Sequence, residues 1–307
     1  MAYLTGSFHS MAELHSEIEA FATDNGWTIT LGVLHKGGCS VILSTPVSQS
    51  IQVEFAASHD GAGNLIDPYP SVFYLYEVWG GPTETSNGMV MEYPATFHLF
   101  EFSASDEIIC VVEYNTHYVQ QMSFGTINKV GTWTGGVYGT STAVTPYSTN
   151  PKVNNSMQFT SNYYPTGGMW GWMAWALDDY VQPGRGNAAV RCEEVPGATW
   201  VSNSYFKGSE GVPLRTPFCP VLLSQNFTST SDPNAPVPVL SEPIITLKRT
   251  STTYSILGSI PNIRHLNVAN LEIGEVVEVG NDRWKVFPMI SKLHTGHLGY
   301  AVRYEGP

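Results

Sequence analysis

Residues 107–115, EIICVVEYN, decide how the chain folds. They form its most apolar short stretch and do not alternate apolar with polar, so little distinguishes their two faces. That is the pattern of a central strand covered on both sides. YVQQMSFGTI, 118–127, continues the same sheet. Upstream, residues 60–100 alternate turn clusters (HDGAGN, GGPTETSNG) with aromatic strands (SVFYLYEVW, ATFHLFEFS). Earlier still, GWTITLGV, CSVILS and SIQVEFAAS read as strands of a sheet, with HKGG as the first turn.

One segment has a different period. Ser10 can cap a helix whose Glu13 lies three residues on, and Met11, Leu14, Ile18, Phe21 and Ala22 recur at helical spacing before the stop signal Asn25-Gly26. The spacing predicts a helix over 11–24. Downstream of the central strand, residues 131–168 are rich in Gly, Thr, Ser, Asn and Tyr and have little periodicity, which predicts long loops of the kind that form contact surfaces. GGMWGWMAWALDDYV then clusters Trp170, Trp172 and Trp175, costly to leave in water and so expected in a core or a subunit contact.

A Pro-rich stretch over 229–245 is the expected seam between a main β domain with its N-terminal helix, 1–228, and a small C-terminal β unit, 246–307. A unit of that size is near the lower limit for folding alone and should lean on the rest. Within it, Gly280-Asn281 predicts a two-residue hairpin. Arg283 and Lys285 then alternate with Trp284 and Val286. The fold class is mainly β: antiparallel sandwich- or barrel-like sheets with one amphipathic helix. No repeat of 20 to 50 residues suggests a solenoid or propeller.

The composition narrows the function. At 307 residues and 42% hydrophobic the chain can fill a sizeable core. Charged residues are only 13%, against roughly 25% in an average domain. The net charge of −12 repels phosphate and argues against nucleic acid. Lys248-Arg249, Arg264-His265 and Arg283 with Lys285 are scattered and suit strand faces better than a phosphate track. Cys39, Cys110, Cys192 and Cys219 are too widely spaced for a zinc knuckle and are expected as buried thiols. The N-terminus lacks the features of a signal peptide, and no apolar run is long enough to span a bilayer. Assembly in a cytoplasm is expected.

Enzyme signatures are absent: there is no nucleophile elbow, phosphate loop, H-E-x-x-H or dinucleotide fingerprint. His294 and His297 flank a Thr-Gly turn without a further ligand nearby, and His98 and His117 lie on strands where a lone histidine is ordinarily hydrogen-bonded. Asp178-Asp179 has no second acid to pair with for glycoside hydrolysis. Two acids, Glu193 and Glu194, oppose a thiolate at Cys192. No catalytic residue, metal or cofactor is expected.

Three stretches carry a resemblance. The ending DRWKVFPMISK followed by TGHLGYAVRYEGP resembles the C-terminus of a family of virion structural proteins encoded among the tail and baseplate genes of tailed bacteriophages. FATDNGWTITLGVLHKGG and DEIICVVEYNTHYVQQMSFG point the same way. The resemblance implies a non-enzymatic building block of a virion tail, at the baseplate or an adjoining ring, present in several copies beside other tail proteins. Assembly contacts are then expected at Trp170, Trp172, Trp175, Arg283, Trp284 and Lys285, the basic pair meeting an acidic surface on a neighbour. The rival is a host-recognition tail protein that binds carbohydrate on Trp133, Tyr138, Tyr163 and Tyr164.

Overall fold

A computed structural model describes residues 1–46, 50–70, 72–77, 90–116, 118–141, 188–195, 198–202, 214–215, 240, 242, 244–248, 254–288 and 298–306. The protein is mainly β, with one helix among these residues. Its backbone is a seven-stranded antiparallel sheet, here the long sheet. In spatial order its strands are Ala2–Phe8, Ala95–Phe102, Glu107–Tyr114, Tyr118–Thr126, Gly135–Ser141, Ala188–Val195 and Ala198–Ser202. EIICVVEY is third of the seven, paired on both sides. Burial is continuous from Glu107 to Val112, which is why the stretch shows no alternation.

The helix, Met11–Asp24, starts where expected: Ser10 Oγ accepts the Glu13 N–H at 3.1 Å, and Glu13 reaches back to the His9 N–H at 2.7 Å. It stops at Asn25, whose side chain donates to the Phe21 carbonyl, followed by Gly26 at φ +85°. Met11, Leu14, Ile18, Phe21 and Ala22 form its buried stripe.

Side chains along a strand alternate between faces, so the register sorts the long sheet into two surfaces. Phe97, Leu99 and Glu101 share one face, on which Phe8 meets Phe97, Trp27 meets Phe124 edge-on at 5.7 Å and Trp200 meets Phe55 at 5.1 Å. This side carries the helix and a five-stranded meander of Thr28–Thr30, Val33–Lys36, Cys39–Ser44, Ser50–Ala56 and Phe73–Tyr76. His98 and Phe100 point the other way, onto Phe287 at 5.3 and 6.3 Å. Phe287 belongs to a four-stranded C-terminal sheet in the order Ile263–Asn267, Leu298–Arg303, Asp282–Pro288 and Val276–Val279. Its Gly280-Asn281 hairpin has the predicted two-residue loop, with Gly280 at φ +65°.

One element departs from the sequence expectation. Residues 135–141, read as loop, form an interior strand of the long sheet. Its small residues are a packing requirement: a Cβ on Gly139 would lie 2.7 Å from the Phe55 ring, which removes any apolar periodicity. The C-terminal strands lean on the main core. Ile245, Leu257, Ile263, Phe287, Tyr300 and Tyr304 join the cluster that begins at Phe8, and Asn128–Lys129 pairs with Tyr254–Ser259 across the expected seam. A smaller cluster around Trp284 belongs to the C-terminal sheet itself. Most of 229–245 lies outside the described residues.

Candidate contact edge and buried carboxyl cluster

Trp170, Trp172, Trp175, Tyr163 and Tyr164 lie outside the described residues, as do His117, His294, His297, Asp178, Asp179 and Cys219. The basic hairpin is described, and its cations are turned to partners within the chain. Arg283 donates to the Gly306 carbonyl at 2.7 Å and sits 5.2 Å from the Tyr304 ring centre, opposite Glu278 on the next strand. Lys285 donates to the Gly274 carbonyl at 3.0 Å and lies within 5.7 Å of the Tyr3 and Tyr304 ring centres. Burial lowers the Lys285 pKa, countered in part by Glu113. Trp284 is buried beneath the Arg264 guanidinium, 4.7 Å from its ring centre. These residues form a strand packed on aromatic rings, in which Trp284 is buried while Arg283 and Lys285 stay partly exposed.

Two of the expected sugar platforms are interior. Tyr138 is wholly buried and its hydroxyl bonds Glu107, so its ring has no face for a ligand. Trp133 is buried as well, its indole N–H shared between the carbonyls of Val130 and Leu257 at 3.1 Å each. Cys39, Cys110 and Cys192 are buried, and burial pushes the first two far above the ordinary thiol range. Among the described residues no group of three potential metal ligands converges.

Two features were not singled out from sequence. The first is the edge strand Ala2–Phe8, AYLTGSF. It pairs with Ala95–Phe102 over seven unbroken residue pairs and, among the described residues, has no strand on its other side. Leu4, Thr5 and Ser7 are exposed. Soluble proteins ordinarily blunt such edges with charge, proline or a bulge. Here residues 1–12 contain no Asp, Glu, Lys or Arg, and the strand contains neither proline nor a break in register. The sequence signal was available as a charge-free run in a chain of net charge −12.

The second is a set of carboxylates on the long sheet. Glu101 accepts from Lys36 at 2.6 Å on the helix side. Glu113 meets His98 Nε2 at 2.9 Å, while His98 Nδ1 is 2.7 Å from the Tyr3 hydroxyl. Glu107, fully buried, accepts from the Tyr138 hydroxyl at one oxygen, and at the other from Ser105 at 3.2 Å and Asn262 Nδ2 at 2.6 Å. Desolvation raises its pKa to about 7, partly countered by the hydrogen bonds from Asn262, Tyr138 and Ser105. Burial, with the neighbouring Glu107 carboxyl, holds the Tyr138 phenol well above its usual range.

No protein-family model matches the chain, and no curated protein matches it. The fold defines a class, a mainly β protein of several antiparallel sheets with one helix among its described residues. No described helix is long and apolar enough to cross a membrane.

Proposed function

We propose that the chain is a non-enzymatic structural component of a bacteriophage tail, at the baseplate or an adjoining ring, which assembles with further copies of itself and with other tail proteins. One observation carries the reading: a seven-residue edge strand free of charge, proline and bulge in a chain of net charge −12. Copies of such a chain repel one another over most of their surface. The uncharged edge offers backbone groups to a neighbour's strand without that repulsion. The three stretches that resemble tail proteins support the same reading, because they meet in one framework. FATDNGWTITLGVLHKGG supplies Trp27 against Phe124, DEIICVVEYNTHYVQQMSFG includes the interior strand Glu107–Tyr114, and the ending places Phe287 on His98 and Phe100. What is shared on this reading is a rigid body rather than a pocket.

No observation favours the carbohydrate-binding alternative, since Tyr138 and Trp133 are interior. In tailed particles assembled with the chain, an antibody against it is expected to label the tail at one end. Particles that assemble and infect without it, or turnover of a small substrate by the purified protein, overturn the reading.

A further inference from the structure

Glu107 occupies the joint between the long sheet and the C-terminal sheet. Asn262 immediately precedes the strand Ile263–Asn267, and its carbonyl accepts the Arg303 N–H at 2.9 Å, so the residue gripping Glu107 is continuous with two strands of that sheet. Ser105 and Asn262 are each less than a tenth exposed, and Asn262 Nδ2 also donates to Ser105 Oγ at 3.0 Å. A glutamine could fill this site with the same shape and no charge. A carboxyl is the costlier choice, because a buried anion needs compensation that hydrogen bonds supply only in part.

Among the described residues, the groups facing Glu107 contain no compensating cation. From the strand Gly135–Ser141 comes the Tyr138 phenol, and from Tyr118–Thr126 come the Ser123 hydroxyl near Tyr138 and the backbone of Gly125 against Glu107. Asp106, next in the chain, turns its carboxyl to Gly37, and the buried Cys39 thiol lies near both Asp106 and Tyr138. From the C-terminal sheet, Arg303 sends its guanidinium to Asp282 at 2.8 Å. Among the described residues Glu107 has no ion pair, while Tyr138 and Cys39 stay neutral at ordinary pH.

We propose that Glu107 is a proton-operated pin between the two sheets: protonated, it holds the Asn262 turn onto the long sheet, and ionised, it lets that turn open to water. The inference stands on the buried cluster and is independent of any role in a tail. Its sign follows from linkage. Closed, the carboxyl keeps its proton up to about pH 7; open and solvated, it loses the proton near the ordinary value of 4.5. Opening therefore releases a proton between those limits and becomes about tenfold more favourable per pH unit, levelling off above about 7.

The test is amide hydrogen exchange of the full chain across that range, corrected for the intrinsic pH dependence of exchange. Amides of Ile263–Asn267 and of Arg303 are expected to lose protection about tenfold per pH unit, while those of the helix Met11–Asp24 stay level. Glu107→Gln is expected to abolish the slope and leave the joint protected throughout. Flat protection in the unmodified protein, or a slope that survives Glu107→Gln, overturns the proposal. Should the variant fail to fold, the unmodified series still decides, with the helix amides as its internal reference.

Discussion

Replacing Lys36 by methionine tests how the helix side of the molecule is fastened. Lys36 Nζ lies 2.6 Å from Glu101 Oε1 and also donates to the Asn25 carbonyl at 3.0 Å and to Ser103 Oγ at 3.2 Å. One ammonium therefore joins the end of the helix, the five-stranded meander and the long sheet. Glu101 is 2% exposed. At an effective dielectric of about 20 the gross attraction at this distance is roughly 6 kcal/mol, most of it offset by desolvating both groups. Removing the lysine leaves that desolvation with no partner among the described residues beyond the Ser103 hydroxyl. Lys36→Met is expected to cost about 3–5 kcal/mol. Adding Glu101→Gln removes the stranded charge and should return about half of the loss, so the double variant is more stable than Lys36→Met alone. Urea denaturation of the four proteins, comparing midpoints at equal slope, measures the cycle. A single variant within about 1 kcal/mol of the parent, or strictly additive effects, would refute the fastening role.

Other substitutions probe the packing. Gly139→Ala places a methyl against the Phe55 ring, which Phe73 and Trp200 hold from other sides, and should cost about 1–3 kcal/mol in the same denaturation assay. Leu31 is 73% exposed at φ +48° in a two-residue hairpin with Gly32 at φ +84°. Both loop positions require positive φ, so Leu31→Asn should stabilise by about 1 kcal/mol and raise the melting temperature. A fall in that temperature would mean that the leucine makes a stabilising contact.

The elements legible in the sequence were those whose signal is local. The helix announced itself by a 3.6-residue period and two caps, EIICVVEY by unbroken apolarity, and the last hairpin by Gly280-Asn281. What escaped depended on partners distant in the chain. Gly135–Ser141 looked like a loop because its residues are sized to the Phe55 ring and to Glu107 rather than to a repeating pattern. Tyr138 looked like a surface platform for the same reason. Glu107 carries no local sign of its burial, since Asn262, one of the groups that hold it, is 155 residues away. Arg283 and Lys285 read as a pair facing a neighbour because alternation identifies a second face without saying what covers it. That cover is Tyr3 and Tyr304, one from each end of the sequence. The edge strand is a different case: its signal is an absence of charge, which stands out only once the topology leaves the strand with one neighbour among the described residues.

Whether copies of the chain join along Ala2–Phe8 is measured most directly by sedimentation of the full protein at rising concentration, alone and with Leu4→Lys and Ser7→Lys introduced together. Species of several copies are predicted for the parent. The two lysines, placed on exposed positions of the edge, should return it to single copies with the helix and sheets intact by circular dichroism. A parent that stays monomeric at every concentration, or a lysine variant that assembles as readily, would contradict the account.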